Sequence, residues 1–94
     1  MRAAWWDRSI NREIGMWIRD IIAEVADQYK VTPAEILSHN RKAKLIRARR
    51  HAMWRARHET AASYLKLARI FKRDHSTVIY NVKCWEENER IDLP

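Results

Sequence analysis

Along the chain, apolar side chains recur at steps of three and four, and this spacing predicts helices rather than strands. Ile10, Ile14, Trp17, Ile18, Ile21, Val25 and Tyr29 form one stripe over residues 9–29. Next, Thr32, Pro33 and Glu35 match a capping box, with a hydroxyl before the helix, proline at its first position and a carboxylate three residues on. The short helix they start is expected to end near residues 38–40, where HNRKAK has no apolar face and reads as a basic loop. A third helix is predicted over 45–60, with Ile46, Met53 and Ala56 turned inward and Arg47, Arg50, Arg57 and His58 over the rest. Ser63 then caps a fourth, whose stripe is Tyr64, Leu67, Ala68 and Phe71 while Lys66 and Arg69 point away. Val78, Val82 and Trp85 mark a fifth that begins within DHST and fades in the acidic tail.

Composition agrees with an all-α chain of about five helices. Glycine occurs once, at Gly15, and proline twice, at Pro33 and Pro94, which leaves little material for β-turns. The length of 94 residues is that of one small domain, divided as 9–29 for the first helix, 41–62 for the basic loop and helix, 63–86 for a helix-turn-helix and 87–94 for the tail. Cys84 is the one cysteine, so no internal disulfide can form. No apolar run reaches membrane-spanning length, and Asp7 and Arg8 interrupt any signal-like start. The expected location is the cytoplasm, at a bacterial nucleoid or in a phage-infected host, with no membrane partner.

Charge changes the picture most. The net charge of +7 lies in the middle of the chain: residues 41–83 hold thirteen Lys and Arg against two acids, while residues 1–40 and 84–94 each carry more acids than cations. From residue 36 to residue 58 there is no acid at all. Such a run lacks internal partners and needs an external counter-charge.

The pair of short helices joined by the polar turn KRDHS supplies a reason for that charge. In a helix-turn-helix the second helix enters the major groove with its first residues nearest the base edges. Arg73, Asp74, His75, Ser76, Thr77 and, one turn on, Tyr80 and Asn81 stand there. Arginine can donate to guanine, aspartate can accept from cytosine, and threonine offers a hydroxyl and a methyl to thymine. Asp74 or Ser76 can equally cap the helix, which does not exclude base contact by their neighbours. Arg41, Lys42, Lys44, Arg49, Arg50, Lys66, Lys72 and Lys83 read as phosphate contacts that position without specifying. An enzyme is not expected: there is no paired carboxylate, nucleophile with base, zinc-ligand spacing or glycine-rich phosphate loop, hence no catalytic residue, metal, nucleotide or other cofactor.

The segments YKVTPAEILS, RKAKLIRARRHAM and FKRDHSTVIYNV together resemble the C-terminal DNA-binding domain, domain IV, of the bacterial chromosomal replication initiator DnaA, over about residues 17–86. The resemblance implies a Trp repressor-like helical fold and binding of double-stranded DNA at a DnaA box; the ATPase module that the family couples to this domain is not expected, since the one glycine cannot build a phosphate-binding loop, and a stand-alone small protein that binds DNA is expected instead. It places Arg73, Asp74, His75, Ser76 and Thr77 in the major-groove signature and Arg47 at the minor-groove arginine. Where the family often has R-P-R-Q, this chain has Arg47, Ala48, Arg49 and Arg50; where two glycines usually precede the signature, Lys72 stands alone; Ser76 replaces a threonine. Roles in replication or transcription regulation follow as expectations, and a protein- or RNA-binding adaptor is the alternative. Trp5 and Trp6 are expected to pack on the core, or otherwise to serve with the first helix as a protein or homodimer contact.

Overall fold

A computed structural model describes the backbone of residues 3–92 and the side chains of residues 14–88. Five helices follow one another: α1 (Ala3–Tyr29), α2 (Pro33–Leu37), α3 (Ala43–Glu59), α4 (Tyr64–Phe71) and α5 (His75–Asp92). The fold is all-α, as the periodicity predicts. α1 begins six residues before the expected start at residue 9, and α3 begins at Ala43, so the loop before it is shorter than HNRKAK suggests. The expectations for Trp5, Trp6 and Ile10, and for the tail side chains beyond Asn88, lie outside the described side chains.

Local chemistry explains the helix ends. Thr32 Oγ1 accepts from the Glu35 amide at 3.1 Å, and Glu35 Oε1 accepts from the Thr32 amide at 2.9 Å, completing the capping box. Ser63 Oγ accepts from the Lys66 amide at 3.2 Å at the start of α4. α1 stops where Lys30 turns left-handed with φ of 58°, and the Val31 amide donates back to the Ala26 carbonyl at 2.9 Å. α4 stops in the same way: Lys72 has φ of 56° and ψ of 48°, and the Arg73 amide donates to the Ala68 carbonyl at 3.0 Å. These bonds set the direction in which α5 leaves α4.

α3 packs against each of the other four helices. It can do so because Ala48, Ala52 and Ala56, one turn apart, are fully buried and let neighbouring backbones come close. Around them sit Ile18, Ile21, Ile22 and Val25 of α1, Ile36 of α2, Met53 of α3, Leu67 and Phe71 of α4, and Val78 and Val82 of α5. Fully burying a side chain of this kind stabilises by about 1.5–3 kcal/mol each, so this cluster is the main cohesive element of the domain. Two sequence expectations fail here. Trp17 is 50% exposed, because Ile22 and Ala26 complete the buried stripe of α1 on its other side. Ile46 is only half-buried and faces a surface cleft, while Leu45, Ala48 and Arg49 take the inward positions of the first turns of α3.

Candidate nucleic-acid interface

The helix-turn-helix consists of α4, a turn over residues 72–74 and the start of α5. His75 and Ser76 are exposed and Thr77 is half-buried, all on the first turn of α5, with Tyr80 62% exposed one turn later. Val78 and Val82 hold the opposite face of α5 in the core. Among the described residues, neither Asp74 nor Ser76 makes a side-chain capping bond. The Asp74 carbonyl accepts from the Val78 amide at 3.1 Å, and its carboxylate stays at the surface. His75 packs edge-on against Tyr64 of α4, with ring centres 6.2 Å apart, so the imidazole is oriented while its residue remains exposed.

The α2–α3 loop, residues 38–42, lies beside this helix start. It is held by local turns, in which Ser38 Oγ accepts from the Asn40 amide at 3.2 Å and Asn40 Oδ1 accepts from the Lys42 amide at 3.0 Å. Two arginines from elsewhere complete it. Arg49 Nε donates to the Ile36 carbonyl at 2.7 Å, and its Nη2 donates to the carbonyls of Ser38 at 2.8 Å and Asn40 at 3.2 Å. Arg73 Nη2 donates to the same Ser38 carbonyl, and its Nη1 lies 3.4 Å from His39 Nε2.

In the free chain these bonds give two of the expected contact residues partners within the domain. Arg49, expected at a phosphate, is 6% exposed and serves as the donor set for the last carbonyls of α2. Arg73, expected at a base edge, turns its guanidinium to the loop and joins the loop to the turn of the helix-turn-helix. The physical reason is common to both. A five-residue helix leaves its final carbonyls without helical partners, and guanidinium groups from α3 and from the 72–74 turn supply donors to these and to the loop carbonyls that follow. Burial holds the Arg49 guanidinium below its ordinary pKa and the charge of Arg73 pushes the same way; burial also lowers Arg73. Two cations are thus held near each other without an acid, an arrangement that a nearby anion relieves.

Three adjoining clefts follow the junction. One, of about 370 Å³, is lined by His39, Ala68, Arg69, Lys72, Arg73, Asp74 and Thr77. The next, of about 560 Å³, shares His39, Arg73 and Thr77 and adds Arg41, Arg50, Tyr80 and Asn81. The third, of about 320 Å³, shares Ile46 and Arg50 and adds Arg47 and Trp85. Asp74 is the one acid among the described lining residues. The trough therefore runs from the turn of the helix-turn-helix to the first turns of α3, and among the described lining residues cations outnumber acids in each cleft.

Arg47 and Arg50 occupy its far end with different supports. Arg47 and His51, one turn apart on α3, both pack over Trp85 of α5: the Arg47 guanidinium carbon is 5.3 Å from the ring centre, and the His51 ring stacks at 4.4 Å. His51 in turn meets the Tyr29 hydroxyl, 3.3 Å from its Nδ1, which ties this support to α1. Arg50 Nε donates to Asn81 Oδ1 at 3.0 Å. The sequence offered no sign of that pair, since residues 31 apart show no periodic relation. Of the other cations, Arg41, Lys42, Lys44, Lys72 and Lys83 are exposed and Lys66 is half-buried. Arg55 and Arg57 belong to the scaffold: Arg55 is paired with Glu59 and Glu24, and Arg57 donates to the Ala62 carbonyl at 2.8 Å over the Tyr64 ring. Among the described residues, no three His, Cys, Asp or Glu side chains come together as metal ligands, and no helix is long and apolar enough to cross a membrane.

Comparison with known proteins agrees with the geometry. The sequence model of the family described as the bacterial dnaA protein helix-turn-helix matches residues 18–84. The chain is 38% identical over 76 residues to the chromosomal replication initiator protein DnaA of Aquifex aeolicus, covering 80% of this chain and 19% of that protein. It is 37% identical over 76 residues to DnaA of Desulfotalea psychrophila, and 41% identical over 73 residues to DnaA of Dechloromonas aromatica. These matches cover 81% and 77% of this chain and 15% of each relative. The chain thus spans a fifth or less of the length of these curated relatives. No solved structure matches it. With its α1–α5 segment matched from residue 18 to residue 84, this chain belongs to the bacterial DnaA helix-turn-helix family, the DNA-binding part of the initiator.

Proposed function

We propose that this protein binds a short duplex site of the DnaA-box type, with the start of α5 in the major groove and the first turn of α3 reaching the adjacent minor groove. The observation behind this reading is the continuous cationic trough that joins these two elements. At the start of α5, His75, Ser76 and Thr77 face the base edges with Asp74 beside them, and Arg47, braced on Trp85, enters the minor groove. Arg41, Lys42, Lys44, Lys66, Lys72 and Lys83 contact phosphates, with Arg50 at the boundary between the two kinds of contact. Arg49 and Arg73 shape the loop from behind.

Binding of this kind suits a regulator of replication or transcription that occupies initiator sites. A competition experiment at one salt concentration tests the reading. A DnaA-box duplex should displace a labelled box at least about tenfold better than a scrambled duplex of equal length. Equal competition by the two duplexes, or preference for RNA, would overturn it in favour of a general polyanion binder or an adaptor.

A further inference from the structure

We infer that Arg50 reads a guanine in the major groove and that Asn81 is the residue that aims it. The inference rests on the reading of α5 as the major-groove helix. Asn81 has both ends of its amide engaged: Nδ2 donates to the Thr77 carbonyl at 2.9 Å, and Oδ1 accepts from Arg50 Nε at 3.0 Å. It is therefore anchored to the backbone of α5 and acts as a positioning residue. The Arg50 guanidinium carbon lies 5.9 Å from the centre of the exposed Tyr80 ring, which places the group beside the outer face of α5.

What this support leaves open decides the chemistry. A guanidinium carries five N–H bonds, and tying up Nε leaves the two terminal nitrogens, whose parallel donors match the O6 and N7 acceptors of guanine. Among the described residues, those two nitrogens have no hydrogen-bond partner, whereas at least one terminal nitrogen of each of Arg49, Arg55, Arg57 and Arg73 is spent on a carbonyl or carboxylate. Arg50 also lines both clefts that meet at the start of α3, so its open edge faces the trough.

A phosphate contact requires a charge within reach and tolerates a mobile side chain. A guanidinium tied at Nε by an anchored amide has already lost part of the rotamer freedom that base reading would otherwise cost. Arg50 and Asn81 therefore make a pair that sets which base is read beside Thr77.

Site selection from a randomised duplex pool tests the assignment, using the full chain and its Arg50→Lys, Asn81→Ala and Asn81→Asp variants at one salt concentration. The unsubstituted protein should select a site with a guanine at one position. Arg50→Lys, which keeps the charge and the stem, should lower preference at that position by about tenfold or more and leave the others unchanged. Asn81→Ala should relax the same position. Asn81→Asp, which keeps an acceptor for Nε, should restore the preference ratio whatever it does to overall affinity. Uniform weakening in Arg50→Lys, or an unchanged selected site, would overturn the inference while leaving the DnaA-box reading intact. Absence of any selected site with the unsubstituted protein would remove both.

Discussion

Lys72 occupies a left-handed backbone conformation, with φ of 56°, in which a side chain beyond glycine costs about 1–2 kcal/mol. The conformation persists because the Lys72 and Arg73 amides both donate to the Ala68 carbonyl there, closing the turn before α5. Lys72 stands alone where the resemblance implies two glycines, and it closes this shorter turn in the left-handed conformation at the expense of strain. Lys72→Gly should raise stability by about 0.5–1 kcal/mol, the relief of strain less the larger entropy glycine has in the unfolded chain. The denaturant midpoint should rise with an unchanged slope; a lower midpoint would mean that the side chain contributes more than its backbone costs. Arg49 shows the opposite limit of sequence reading. Its type and its place in a cationic run match a phosphate contact, and only the nearby end of α2 turns it inward.

At the scale of elements, caps were legible and contacts between elements were not. Thr32, Glu35 and Ser63 act within four residues of themselves, so their roles can be read from spacing. The inward face of α3 was harder to read. Ala48 and Ala52 are weak hydrophobic signals among arginines, yet they are the surfaces on which the other helices close. The α2–α3 loop depends on side chains from α3 and the 72–74 turn. Arg73→Ala should speed backbone amide exchange in residues 39–42 several-fold and leave α1 and the buried part of α3 unchanged, as read by hydrogen exchange with mass spectrometry. It should also weaken binding to specific and scrambled duplexes alike, because the loop positions the domain on either. An unchanged exchange rate with lost sequence preference would return Arg73 to the base edge.

For the whole molecule, electrostatics sets affinity and the helix-turn-helix directs it. Arg55 pairs with acids and Arg49, Arg57 and Arg73 are turned to carbonyls, which leaves the trough and the exposed lysines to meet an external anion. If about five of these cations neutralise phosphates, the logarithm of the affinity falls against that of the salt concentration with a slope of about −4.5, or on the order of 500-fold between 50 and 200 mM salt. Measuring binding across that range by fluorescence anisotropy checks the count. A slope near zero would contradict a phosphate-tracking interface. Lys42→Ala should reduce the slope by about one without changing the preferred site.

Helix content, most helix ends, the position of the helix-turn-helix and the location of the excess charge were all determined by the sequence itself, because each depends on residues within a few turns of one another. Tertiary structure decided which of the cations face outward. Arg47, Arg49, Arg50 and Arg73 are alike in type, but their fates were set by Trp85, the open carbonyls of α2, Asn81 and the Ser38 carbonyl, partners that folding brings together from distant parts of the chain. A guanidinium is satisfied by whatever acceptor or ring lies within a few ångströms, and that neighbour is a property of the packed helices rather than of the local sequence.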